Sequence, residues 1–392
     1  MPRSRAGAAL LTLALVALAA MATRARQRDS AGLTDATIRV GVEAPVGSLS
    51  LDGENLGFRL AFEEANTGGG VHGRRFTWTE RRRTSAVPAD VLAVARRMID
   101  EDDVFLVVNF SGPAIGDIAA YARARRVPLM FPHTALVSSE GERYLFTSFP
   151  RFEGEAEVMF RYLARDRGLR RLAIVHDANA YGLAFRDALR RHAPDFGYAV
   201  VAETPVATRA PANLHEEHAA LVAAAPDAIV MALYPEQAHA LLRARTLGPA
   251  GARTRLVSAG PLTDEASLTV PGGDADGTLG FCHYPDPERS DVPGVVRYRA
   301  AMARFEPGRR LDRYTLYGYT FGRLVVEGVT RAGRDLTRER FIDAMEGITL
   351  WDAGGVMPDV SFSATNHHAQ RAGFICEMRD GRLEAVTDWI AP

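Results

Sequence analysis

From Ile38 onward, short apolar runs alternate with amphipathic stretches at βαβ spacing. "IRVGVEA" reads as a strand, residues 53–66 as a helix, "RRFTWTE" as a strand, 88–101 as a helix, "VFLVVNF" as a strand, 113–126 as a helix and "VPLMF" as a strand. After "YLFTSFP" at 144–150 the order repeats. Helices are expected at 153–168, 180–192, 213–224 and 236–247. Between and after them, "RLAIVHD", "YAVVAET", "DAIVMALY" and "TRLVSAG" read as strands. The pattern predicts an α/β fold with two Rossmann-like lobes, each a parallel sheet covered on both faces.

The rest of the chain does not begin a third unit. Helical text at 295–306, 315–332 and 337–346 is too little to bury itself alone, and strand-like text follows at 356–362, 371–378 and 383–389. These segments are expected to return to the existing lobes, giving residues 37–149 plus 285–350 as lobe 1 and 150–284 plus 351–392 as lobe 2. A chain that crosses between lobes more than once makes a hinged pair with a cleft between them.

Composition narrows the function classes. The 392 residues carry a formal net charge of -1 and no long basic block, so electrostatics points to no nucleic-acid partner. All 47 cationic side chains other than histidine are arginine, which excludes Schiff-base lysine chemistry and a P-loop. An apolar run from Ala6 to Ala22 ends in Ala20-Met21-Ala22, as at a signal-peptide cleavage site, so residues 1–22 are expected to be a leader and the mature protein periplasmic, with no membrane span. The alternative is a retained anchor. Cys282 and Cys376 are either a disulfide or two buried small hydrophobes.

In open parallel sheets, ligands bind beyond the carboxyl ends of the strands. Polar and aromatic residues gather there: Asn109 and Ser111, His133 and Thr134, Asp177 and Tyr181, Tyr234 and Glu236, Ser258 and Thr263. Helix capping is the competing role for Ser111, Thr134 and Thr263. Pro132 is expected to end its strand so that the next backbone groups face a ligand. "HEEH" at 215–218 reads as a solvated helix face, His367-His368 as the decoration of a hairpin turn, and Arg81-Arg82-Arg83 as a solvated loop. There is no Gly-x-Ser-x-Gly elbow, and the glycines of "NTGGGVHG" fit a helix-to-strand turn rather than a dinucleotide site. No catalytic constellation, metal-ligand set or cofactor motif stands out.

Taken in order, "IRVGVEAPVG", "GFRLAFEEANTGGGVHGRRFTW", "VPLMFPHTA", "YLFTSFP", "RLAIVHDANAYGLAFRDALR", "PDAIVMALYPEQAHALLRARTLG", "GGDADGTLGF" and "TLYGYTFGRLVVEGVTRAG" resemble the periplasmic solute-binding proteins of ABC importers. The branch is that of the branched-chain amino acid (Leu/Ile/Val) receptors, with the type I periplasmic-binding, Venus-flytrap fold. The resemblance implies that Ser111 and the turn Pro132-His133-Thr134-Ala135 grip the ligand's carboxylate on lobe 1, while Tyr181 and Tyr234 close from lobe 2. It also implies a small-molecule ligand, an inner-membrane ABC permease as partner, and a monomer without cofactor.

One departure bears on the ligand. Amino acid receptors of this family carry an acid after the strand that here reads "TRLVSAG", pairing with the ligand's ammonium, and its place falls among Gly260, Pro261 and Leu262. A desolvated ammonium without a carboxylate partner costs several kcal/mol. The expected ligand is therefore a small organic acid, an amide or a more apolar molecule rather than an ordinary α-amino acid, unless Asp264 or Glu265 reaches in from a shifted loop. His133 would then supply a neutral hydrogen bond or packing. Alternative readings are a true branched-chain amino acid receptor, a sensory protein of the same fold, and, with least in its favour, a secreted enzyme.

Overall fold

The structure is a computed structural model and describes residues 30–112, 114–164, 169–207, 213–247 and 254–392. The expected leader at 1–22 lies outside the described residues. No helix among them is long and apolar enough to cross a membrane.

The first series builds β1 (Thr37–Pro45), α1 (Leu49–Thr67), β2 (Arg75–Arg83), α2 (Pro88–Asp100), β3 (Leu106–Val108), α3 (Ile115–Arg125), β4 (Leu129–Met130) and β5 (Leu145–Phe146). Its five strands pair in parallel in the order β2-β1-β3-β4-β5. The second series builds α4 (Phe152–Tyr162), β6 (Arg171–Asp177), α5 (Ala180–His192), β7 (Ala199–Val206), α6 (His215–Ala223), β8 (Ala228–Ala232), α7 (Pro235–Leu247), β9 (Arg255–Ser258), the short α8 (Glu265–Leu268) and β10 (Leu279–Cys282).

The chain then forms α9 (Pro293–Phe305), α10 (Arg313–Ala332) and α11 (Arg338–Glu346), and ends with β11 (Phe374–Arg379) and β12 (Arg382–Ala385). The second sheet has seven strands in the order β12-β11-β10-β9-β8-β6-β7. It is parallel from β7 to β10 and antiparallel at β11 and β12, which come from the end of the chain.

The three late helices bury Tyr298, Leu316, Phe321, Val325 and Phe341 in one core with Val40 and Val42 of β1 and Phe58 of α1. They thus cover lobe 1, where their length left them needing a partner. Trp351, Val356, Val360 and Phe362 join that same core, so packing on lobe 1 continues past residue 350. Residues 356–362 form no strand, only an isolated bridge from Val360 to Trp351. On the opposite face of the first sheet, Val91, Met98, Ile115 and Ile118 of α2 and α3 pack on Val107 and Leu129. The second sheet is covered by α4 and α5 on one face and by α6 and α7 on the other.

Helices α1 and α10 cross at glycines. A Cβ on Gly57 would lie 2.2 Å from the Thr315 carbonyl oxygen, and one on Gly318 would lie 1.9 Å from that of Glu54. This close approach fixes where α1 presents Glu54 to the cleft.

Cys282 and Cys376 form a disulfide across β10 and β11, joining strands 94 residues apart. The histidine pair is not an exposed decoration. His367 stacks on Phe146 at 4.0 Å between ring centroids, and His368 Nδ1 lies 2.9 Å from Thr147 Oγ1, so both are buried where the chain crosses between lobes. In "HEEH", His218 is likewise buried rather than solvated.

Candidate functional site

The loops that follow the carboxyl ends of β3, β4, β6, β8 and β9 meet around a cavity of about 420 Å³ between the two sheets. It is lined from lobe 1 by Glu54, Arg83, Gly112, His133, Thr134, Ala135 and Phe149. Lobe 2 contributes Phe152, Glu155, Tyr181, Tyr234 and Gly260, the segment after β10 contributes His283, and the start of α10 contributes Tyr314 and Tyr317. Of the residues singled out in the sequence, His133, Thr134, Ala135, Tyr181, Tyr234 and Thr263 line it, whereas Asn109, Asp177, Glu236 and Ser258 do not. Ser111 sits beneath the wall, with its neighbour Gly112 at the surface.

The lobe 1 loops are held by their own backbone. Asn109 and Phe131 adopt left-handed φ values of 51° and 52°, which a bulky residue reaches only when its surroundings impose it. The Asn109 N–H donates to the Met130 carbonyl at 3.1 Å, and the His133 N–H to the Phe110 carbonyl at 3.0 Å, lacing the two loops together. The Thr134 N–H closes onto the Pro132 carbonyl at 2.8 Å. The His133 and Thr134 amides are therefore engaged within the protein. The Thr134 hydroxyl accepts the Leu136 N–H at 3.0 Å and keeps its own proton to give.

Three carboxylates organise the site. Glu43, at the end of β1 and without solvent exposure, receives the Ser111 N–H and hydroxyl at 2.9 and 3.0 Å on one oxygen, and the Arg83 guanidinium on the other. Arg83 is thus a nearly buried strand residue, not part of a solvated loop. Glu54 lies 2.9 Å from His133 Nδ1 through both oxygens. Burial pushes the Glu54 carboxyl up, and His133 offsets this only in part. Burial opposes the His133 imidazolium, but the Glu54 charge and hydrogen bond outweigh it and hold the imidazole above its ordinary range. The His133 ring also packs edge-on against Phe149.

Glu155 is the third. It projects from the first turn of α4, is 4% exposed, and accepts the Gly260 N–H at 2.6 Å. Burial raises it to about 8, against the lowering effect of that one hydrogen bond. His283, opposite in sign, is lowered to about 3 by burial, with Arg313 and His133 adding to the effect. Asp264 and Glu265 do not reach the cavity. Asp264 binds Arg310 and the Arg313 N–H, while Glu265 binds the Arg313 guanidinium and the Leu383 N–H.

On lobe 2, Asn179 caps α5 by accepting the Tyr181 and Gly182 N–H groups, which sets Tyr181 at the cavity beside Tyr234, 5.2 Å between ring centroids. The hydroxyls of Tyr284, Tyr314 and Tyr317 have protein partners. The buried Tyr181 hydroxyl has none, and neither has His283 Nδ1.

A family profile described as periplasmic binding protein matches residues 37–382. The chain belongs to that family. Among curated relatives, it is 27% identical over 364 residues to the Leu/Ile/Val-binding protein homolog 2 of Brucella abortus, covering 89% of this chain and 92% of the relative. It is 24% identical to an amino acid binding protein of Pseudomonas aeruginosa, over 72% of this chain and 76% of that one. Among solved structures, a fatty acid ABC transporter substrate-binding protein from Thermomonospora curvata superposes with a TM-score of 0.81 at 20% identity, covering 93% and 95% of the two chains. A branched-chain amino acid ABC transporter protein from Thermus thermophilus with bound valine does so with a TM-score of 0.78 at 17% identity, covering 92% and 98%. These two share the fold.

In this periplasmic binding protein, then, the parallel sheets and two lobes are those of solute-binding relatives rather than of an enzyme family. Sequence reasoning missed Glu43, Glu54, Arg83, Glu155 and His283. Glu155 follows four residues after Arg151 in what reads as an ordinary helix start, and nothing local distinguishes it from Glu153 or Glu157. Only the fold brings it against Gly260.

Proposed function

We propose that the protein is a periplasmic receptor that captures one small molecule in the cleft between its lobes and delivers it to an inner-membrane ABC permease, without covalent chemistry and as a monomer. The observation that carries this reading is the cavity of about 420 Å³, walled from both lobes by loops at the carboxyl ends of parallel strands. A ligand touching both walls makes contacts in the closed form that an open form lacks, so its binding energy drives closure. The names of the relatives support transport as the outcome, because several are described as parts of ABC transporters.

Within this reading, Thr134 and Ala135 hold the ligand from lobe 1, and Tyr181 and Tyr234 close on it from lobe 2. Ser111 acts at one remove, by fixing Glu43. The ligand is not an ordinary α-amino acid. The acid absent after β9 is replaced in space by Glu155, but Ser111, one of the groups that would take an amino acid's carboxylate, is occupied by Glu43. The relatives' names include both a fatty acid and valine, so the shared fold leaves ligand chemistry to the side chains of the cleft.

The test is small-angle X-ray scattering on the protein stripped of bound molecules and then re-supplied with the compound that co-purifies with it. A smaller radius of gyration on re-supply supports capture by closure. An unchanged scattering curve at saturating compound would refute it.

A further inference from the structure

The charged groups of the cleft are matched within the protein. Glu43 fills the corner at the end of β3 where Ser111 presents an N–H and a hydroxyl together, and Arg83 neutralises it. Arg83 also reaches Ser111 Oγ at 3.3 Å and the Ser85 carbonyl at 2.6 Å. His133 is held by Glu54. The Arg313 guanidinium is taken up by Glu265 and by the carbonyls of Tyr284 and Leu383. Among the described residues that line the cavity, no cation is left to receive a ligand anion. A carboxylate entering the Ser111 corner would instead find its donors already engaged by Glu43.

What remains is neutral. The Tyr181 hydroxyl and His283 Nδ1 are buried without partners, the Glu155 carboxyl carries a single accepted bond, and the Thr134 hydroxyl has a proton to give. Buried polar atoms without partners are uncommon and call for an explanation, and a ligand that completes them supplies one. Around them stand Phe149, Phe152 and Tyr234, an aromatic wall for an apolar body.

Resting on the receptor reading above, we infer that the cleft takes a small molecule that carries no carboxylate and whose polar end is an uncharged carboxamide or comparable carbonyl. A primary amide both donates and accepts, which suits a site made of one phenol, one imidazole, one carboxyl and one alcohol. Burial keeps Glu155 protonated and His283 neutral near pH 7, consistent with an uncharged partner.

The test uses four probes that share an isobutyl group, isovaleramide, isovalerate, 3-methylbutylamine and leucine, titrated calorimetrically into the stripped full-length protein. The molecule that co-purifies is identified by mass spectrometry. The amide should bind at least tenfold more tightly than the other three, and the co-purifying molecule should lack a carboxylate. Glu43→Ala, by releasing Ser111 and Arg83, should raise isovalerate affinity at least tenfold. If that variant does not fold, the wild-type series decides alone. Tighter binding of isovalerate, the amine or leucine than of the amide overturns the inference while leaving the receptor intact, as does a co-purifying carboxylate. If no probe binds and nothing co-purifies, the receptor reading itself falls.

Discussion

The Glu155 carboxyl accepts the Gly260 N–H at 2.6 Å, bringing a side chain from the start of α4 onto the loop after β9. Two segments 105 residues apart thereby place an acid at the one position in lobe 2 where the sequence shows Gly-Pro-Leu. The contact has consequences for stability as well as for ligand choice.

Glu155 should make the protein less stable as pH rises. Its folded-state value of about 8 stands above the ordinary 4.5, so between these limits the folded state binds more protons than the unfolded chain. The stabilisation is fully present below pH 4.5 and is lost as pH rises through 8, by on the order of 5 kcal/mol in full. Glu155→Gln should flatten that part of the pH profile. Urea titrations of both proteins from pH 5 to 9 check this, and parallel profiles would contradict it.

Tyr181→Phe should separate binding from folding. The hydroxyl has no partner in the protein, so its removal should leave stability within about 0.5 kcal/mol or raise it. Affinity for the co-purifying molecule should fall about tenfold, the worth of one hydrogen bond in a dry site. Equal losses of stability and affinity would place the hydroxyl in the fold instead.

Ser111→Ala should behave the other way round. It removes a donor from the buried Glu43 carboxylate, costing roughly 1–3 kcal/mol of stability. Its effect on ligand affinity should be the smaller one. Thermal melts and calorimetry on one preparation settle the order, and a large affinity loss at unchanged melting temperature would restore Ser111 as a direct contact.

Replacing both Cys282 and Cys376 by alanine opens a loop spanning 94 residues, and should cost about 5 kcal/mol of stability by loop-closure entropy. The β10–β11 ladder survives in the variant because its backbone pairing does not depend on the sulfurs. Denaturant melts with circular dichroism check both statements.

Most of the architecture was legible in the sequence because period-2 and period-3.6 patterns report local burial. Strand β6 and helix α5 fall at the residues their patterns mark, 171–177 and 180–192. Thr134, Tyr181 and Tyr234 were legible as candidates because each follows a strand end, and each lines the cavity. What could not be read is whatever depends on distant pairing. Glu43 looks like a strand residue of no special standing until β2 brings Arg83 beside it and β3 brings Ser111 above it. His367 and His368 look like polar turn residues until the crossing segment lays them on Phe146 and Thr147. Text at 356–362 alternates like a strand, but it has no neighbour to pair with beyond one bridge, and it packs as an irregular segment on lobe 1.

Native mass spectrometry of the protein purified without denaturation, compared with Ala135→Trp, tests the central claim most directly. Ala135 lines the cavity, and an indole there fills the space a ligand needs. The account predicts one small molecule bound one-to-one to the wild-type protein and none to the variant. The same molecule bound equally to both would contradict it.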